Sequence, residues 1–189
     1  MPRQLRHWVS GGIYHLFSRG SNRQAIFLNE GDYIEFETLF ASAVTEHELD
    51  CFGWSFMPNH WHTIIRTPPD GLSRFMKAVN QRYALRFNRR WDRTAHLFEN
   101  RFGATYQRTQ DQFLWTLRYV VRNPVEARIC SAPHDARWTS FRATAGLVPA
   151  PAHLRVAEIL ALFGDREDDA RRRYVDFIAA TAPPLAAAA

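Results

Sequence analysis

The chain has 189 residues, 46% of them hydrophobic and 23% charged. That is one domain with a short appendage, large enough to bury a core, and it excludes two large domains, a disordered chain and a fibrous repeat. The net charge is only +5 but is unevenly spread: Arg66 to Arg128 holds twelve arginines and Lys77 against five acidic residues, a local +8 that leaves the rest slightly acidic.

Cys51 and Cys130 are the only cysteines and have no CxxC spacing, which argues against a disulfide scaffold or a cysteine-rich zinc module and suits a reducing compartment. The opening MPRQLRHWVSGGIYHLF starts basic but lacks the apolar run of about 7–15 residues that a signal peptide carries, and no later stretch reaches membrane-spanning length. A cytoplasmic protein is expected. The arginine-rich third with interleaved aromatics fits either a solvated basic face or a phosphate backbone, which guanidinium groups bind bidentately.

In chain order, Ile13 to Phe17 has strand composition and ends at the turn cluster Arg19-Gly20-Ser21-Asn22. Residues 32–48 place Tyr33, Phe36, Leu39, Phe40, Ala43 and Val44 at three- and four-residue steps, which predicts an amphipathic helix. A strand over Cys51 to Met57, a break at Pro58-Asn59 and a second strand over His60 to Arg66 follow. After the turn at residues 68–71, Leu72, Phe75, Val79, Tyr83 and Phe87 mark the buried stripe of a long helix. Its other face carries Arg82, Arg86, Arg89, Arg90 and Arg93. A strand is expected over Phe102 to Tyr106 and a helix over Gln110 to Arg122, stopped by Asn123-Pro124.

The order strand, helix, strand, strand, helix, strand, helix is the split βαβ pattern, so the fold class is α+β: a ferredoxin-like antiparallel sheet with helices packed on it. Residues 1–132 form the main domain in this reading. A C-terminal extension over 133–182 has a loop-rich part to residue 152 and short helices near 154–163 and 167–180, and 183–189 is a flexible tail. Neither a Walker A loop nor GxGxxG occurs, so no nucleotide cofactor is expected.

Two constellations carry chemistry. In His60-Trp61-His62 an extended backbone sends both imidazoles to one face and the indole to the other, a bidentate site for a divalent metal. Tyr119 and Asn123 lie four residues apart and share a helix face. Alone, the first could be a core aromatic and the second a helix stop before proline. With the histidine pair, Asn123 can complete a His, His, Asn metal set and hold a phenol beside it.

The strings MPNHWH, HLFENRF at 96–102 and RYVVRNPVEA at 118–127, with GGIYHLFSRGSNRQAIF near the start and the later WTSFRA, resemble the REP-associated tyrosine transposases. These belong to the single-tyrosine branch of the HUH (His, hydrophobic, His) nucleases, and the resemblance runs to at least residue 145. It implies the HUH nuclease fold and a metal-dependent enzyme, using Mg²⁺ or Mn²⁺, that cuts and rejoins single-stranded or hairpin DNA through a covalent 5′-phosphotyrosine. Position by position it makes His60 and His62 the metal histidines, Tyr119 the nucleophile and Asn123 the amide ligand. The family's wording is closer to Tyr-Ile-His-Leu-Asn-Pro. Here Val120, Val121 and Arg122 differ, at positions expected to face away from the metal, with Arg122 a candidate phosphate contact.

For DNA, Arg82, Arg86, Arg89 and Arg90 are expected along the backbone, with Arg19, Arg23 and Arg101 near the strand ends. Tyr83, Trp91, Phe98 and Phe102 can either stack bases or pack the core. Tyr83 and Tyr106 are rival nucleophiles, and His96 is a candidate base for the phenol. A non-catalytic nucleic-acid binder and a phosphodiesterase using water are the alternative functions. Oligomeric state is left open.

Overall fold

The structure, a computed structural model, describes residues 8–68 and 71–180. Pro69 and Asp70 of the expected turn and the 183–189 tail lie outside the described residues. Four strands, β1 (Ile13–Arg19), β2 (Asp50–Met57), β3 (His60–Arg66) and β4 (Gly103–Tyr106), form one antiparallel sheet in the order β2-β3-β1-β4. The helices are α1 (Glu30–Glu46), α2 (Gly71–Arg90), α3 (Gln110–Glu126), α4 (Phe141–Thr144), α5 (Val156–Ala161) and α6 (Glu167–Ala179). This is the split βαβ arrangement that the element order predicts.

On one face of the sheet α1 and α2 pack together, with Phe36 and Phe40 of α1 set against Phe56 of β2 and Trp61 of β3. Phe36, Phe40, Phe75, Tyr83 and Phe87 meet Leu16, Trp61 and Ile65 there in a core of fully buried side chains. Each such residue contributes on the order of 2–3 kcal/mol by leaving water. Trp61 is edge-on to both Phe36 and Phe40, and its Nε1–H donates to Asn80, whose amide donates to Ser18. The helix α1 starts two residues before the sequence pattern suggests, because Asn29 and Asp32 form a capping box that satisfies its first amides.

The opposite face is only partly covered. Helix α3 lies over β2 and β3, seated by Phe113, Leu117, Val120 and Val121. Gly53 lets it approach closely: a Cβ there would meet Leu117 at 3.1 Å. The Asn123-Pro124 pair does not end this helix, contrary to the sequence expectation. It runs on to Glu126, with Pro124 inside it and the Asn123 carbonyl accepting from Ala127. Proline removes only the donor to the Val120 carbonyl, and the surrounding packing holds the turn.

The extension after residue 132 shares the core through Phe141, Leu154, Ile159, Leu160, Tyr174 and Ile178. Residues 138–140 and 153–155 bond to the outer backbone of β2, through Phe56 N–H to the Trp138 carbonyl and Arg155 N–H to the Cys51 carbonyl, so this edge strand is not left open. Within the stretch expected to be loop, residues 133–135 form a 3-10 turn and 141–144 form α4. The end of α6 is held by α3: Arg118 donates to the carbonyls of Phe177 and Ala180, and Arg122 to those of Ile178 and Ala179. Guanidinium groups thereby satisfy carbonyls that a helix end leaves without partners.

Candidate active site

Alternation along β3 sends His60 and His62 to the α3 side and buries Trp61 completely on the other. Each histidine is held at Nδ1. His60 Nδ1 is 2.7 Å from Asn59 Oδ1, and the Asn59 amide is oriented by donating its NH₂ to the Arg23 carbonyl at 3.1 Å. Since Asn59 Oδ1 can only accept, neutral His60 carries its proton on Nδ1 and turns a bare Nε2 toward Asn123, whose Oδ1 stands 3.2 Å away. His62 Nδ1 is 2.9 Å from Nε2 of His15 on β1, while His62 Nε2 is buried with no hydrogen-bond partner. His15 carries no spacing signal in the sequence. It reaches the site because β1 pairs with β3 in a register that sets Phe17 opposite His62 and His15 opposite Ile64.

Burial pulls His15 down to about 4. It also lowers His62 well below the ordinary imidazole range, helped by the neighbouring His15, His60 and Arg19. His60 is lowered by burial, with Asn123 opposing and Arg19 assisting. All three rings are therefore neutral at neutral pH, the form that offers a lone pair to a metal. Two lone-pair atoms, His60 Nε2 and Asn123 Oδ1, face each other with no proton between them, and His62 Nε2 is an orphan. This donor set fits a divalent cation. Among the described residues no three His, Cys, Asp or Glu side chains gather as a metal site, so the set depends on the amide.

Tyr119 projects from α3 over the uncovered half of the sheet, 48% exposed, its ring 5.4 Å from that of His62 and 5.9 Å from that of His15. Phe17 is 37% exposed and lies across β4, where any Cβ on Gly103 would collide with its ring. A cavity of about 190 Å³ opens there, lined by Phe17, Arg19, His60, His62, Glu99 and Arg101 among others.

The other arginines expected at DNA divide differently. Arg82 pairs with Glu46, Arg86 with Glu35, and Arg90 with the buried Asp32. They bind α2 to α1 on the face of the sheet away from the two histidines, so of the α2 arginines expected along a DNA backbone these three already face carboxylates, and Arg89 is exposed on the same helix. Arg122, expected as a phosphate contact, donates to the end of α6 and pairs with Glu126. Arg23 is exposed and reaches the site only through its carbonyl, which orients Asn59. Tyr83 is wholly buried and donates to the Ile26 carbonyl, so it is neither a stacking platform nor a rival nucleophile. Trp91 donates to Asp32, while Phe98 and Phe102 pack partly buried against the core. Tyr106 sits on the outer strand against Tyr14, and His96 is an exposed turn residue whose carbonyl accepts from Ser21.

The family profile described as Transposase IS200 like matches residues 8–126, most of the chain. The chain belongs to the IS200-like transposase family. Its fold is that of a solved REP-associated tyrosine transposase bound to a REP hairpin, with a TM-score of 0.65 at 19% identity, covering 79% of this chain and 89% of the other. A candidate transposase from Deinococcus radiodurans R1 is more distant, with a TM-score of 0.45 at 16% identity, covering 63% and 95% of the two chains. No curated protein matches in sequence. The family match spans β1 to the end of α3 and so includes His15, His60, His62, Tyr119 and Asn123, while α4 to α6 lie beyond it. Among the described residues no helix is long and apolar enough to cross a membrane.

Proposed function

We propose that this IS200-like transposase cuts and rejoins single-stranded DNA, at or beside a hairpin, with Tyr119 as the nucleophile and Mg²⁺ or Mn²⁺ held by His60, His62 and Asn123. The observation that carries this reading is the convergence of two imidazoles, each anchored at Nδ1 and lining a cavity, with an amide oxygen facing one of them and a half-exposed phenol beside the other. A bound divalent cation would supply positive charge to a scissile phosphate.

The chain's own groups do the rest. Arg19 and Arg101 attract and orient the phosphate backbone at the cavity, and Phe17 offers a base a stacking surface. The Tyr119 oxygen attacks phosphorus and gives its proton to solvent. The bond from phosphorus to O3′ breaks, the 3′-oxygen leaves as a hydroxyl after taking a proton, and the 5′-phosphate remains esterified to the tyrosine. Because that ester keeps the energy of the broken bond, a different 3′-hydroxyl can reverse the step and join new ends. The anchoring of α3 by Arg118 and Arg122 keeps the phenol over the open half of the sheet while the DNA changes.

Incubation with end-labelled hairpin DNA carrying a single-stranded flank, with Mn²⁺, and separation on a denaturing gel tests this reading. The wild type is expected to give a protease-sensitive covalent band. Tyr119→Phe should lose that band entirely while melting at the same temperature and binding the hairpin equally well. Cleavage without an adduct that survives in Tyr119→Phe would instead identify water as the nucleophile. Binding without any cleavage would leave a non-catalytic DNA binder.

A further inference from the structure

The contact between His15 and His62 has a consequence that the family assignment does not contain. The two nitrogens lie 2.9 Å apart, and only one proton can sit between two neutral rings. If His15 donated it, the single proton of His62 would be on Nε2, a buried atom with no acceptor, and the nitrogen facing the site could not ligate. If His62 donates from Nδ1, its Nε2 is a bare lone pair. The proton of His15 then sits on Nδ1, on a residue that is only partly buried. The second arrangement leaves no buried N–H unpaired. It repeats what Asn59 does for His60, where an acceptor at Nδ1 likewise frees Nε2.

We infer that His15 is a positioning residue: by accepting a hydrogen bond from His62 Nδ1–H it selects the His62 tautomer and ring orientation that present Nε2 to a divalent metal. The ring of His62 is also fixed in plane by this contact, since His15 lies nearly parallel to it at 5.0 Å between centroids and Phe17 borders it at 5.8 Å. Partners of this kind orient ligating histidines, and their loss typically weakens metal binding by about 10- to 100-fold. This inference rests on the proposed metal site, but its tautomer component does not.

Two readouts independent of cleavage test it. Nitrogen-15 NMR of the metal-free protein should find the His62 proton on Nδ1 in the wild type, and a mixture or Nε2–H in His15→Leu. Titration with Mn²⁺ alone, followed by the EPR signal of free Mn²⁺, should show binding about 10- to 100-fold weaker in His15→Leu. His15→Gln, whose amide oxygen can accept the same bond, should recover most of the lost affinity, and its melting curve serves as the check on folding. A wild-type His62 protonated at Nε2 would overturn the inference, as would unchanged Mn²⁺ affinity in both His15 variants while His60→Ala loses it. If His60→Ala and the wild type bind Mn²⁺ equally, the metal reading itself fails and the role of His15 falls with it.

Discussion

Trp61 and its two histidine neighbours leave one strand in opposite directions and meet opposite surroundings. On the α1–α2 side the central rings of Phe36, Phe40, Phe75, Tyr83 and Phe87 are enclosed, and three arginines at its margin are neutralised: Arg82, Arg86 and Arg90 each face a carboxylate of α1. On the α3 side the helix lies over β2 and β3, and at its open end His62 Nε2 stands buried without a hydrogen-bond partner beside a cavity. The packed face spends its side chains on stability, whereas the half-covered face keeps lone pairs, a phenol and two arginines available. On the proposed reading, the number of basic residues on a face does not mark it as the DNA surface. What matters is whether an acid already stands opposite them.

The largest effect should come from the packed face. Trp61→Ala leaves a cavity among Phe36, Phe40 and Asn80 and is expected to cost about 3–5 kcal/mol, read from the urea midpoint. His60→Ala, one residue away on the other face, should lower stability by no more than about 1 kcal/mol while losing Mn²⁺-dependent adduct formation. Equal destabilisation by the two substitutions would erase the contrast between the faces.

An intermediate effect is expected at the closed end of the α3 face. Asp50 there accepts from Arg66 and Arg155, tying the sheet to the segment before α5. Burial pushes its carboxyl up, but the hydrogen bonds and charge of Arg66 and then Arg155 outweigh that and hold it below the ordinary value of 3.8. The folded protein thus binds this proton less readily than the unfolded chain. Its contribution is complete above the unfolded value and is lost as pH falls through the lower folded one. Asp50→Asn should lower stability at pH 7 by roughly 1–2 kcal/mol and flatten the acid limb of the stability curve, measured by urea unfolding between neutral pH and about pH 3.

The smallest effect sharpens the comparison most. Arg82→Ala with Arg86→Ala removes two exposed, solvent-screened ion pairs, so the melting temperature should barely move and hairpin affinity should not change. Arg19→Ala with Arg101→Ala should weaken binding and make the salt dependence shallower by roughly 0.7 per lost contact to a single strand. Fluorescence anisotropy across a salt series distinguishes the two pairs. A reversal of these outcomes would place the DNA on the α1–α2 side.

Much of this was legible in one dimension. Period-2 alternation gives the two-sidedness of β3 directly, and the four-residue step from Tyr119 to Asn123 puts them on one face of α3. Other features depend on partners that spacing cannot supply. The arginine stripe of α2 is visible, but the acids that neutralise it sit at Asp32, Glu35 and Glu46, dispersed along a different helix. Asn123-Pro124 reads as a stop because proline usually ends a helix, and only the packing of Val120 and Val121 against the sheet explains why the turn continues. His15 looks like any polar residue in a strand until the register of β1 against β3 sets it beside His62.

The grip of Arg118 and Arg122 on the end of α6 also bears on how the protein is made. Arg118 reaches the Phe177 carbonyl 59 positions downstream, so during synthesis the tyrosine helix leaves the ribosome well before its last anchors exist. The sheet, His60, His62 and the Tyr119 phenol can be assembled from the nascent chain while α3 is still held on one side only. The last anchors of that helix therefore form only once residues 177–180 have left the ribosome, and a chain stalled upstream of them would hold Tyr119 on a helix seated against the sheet alone.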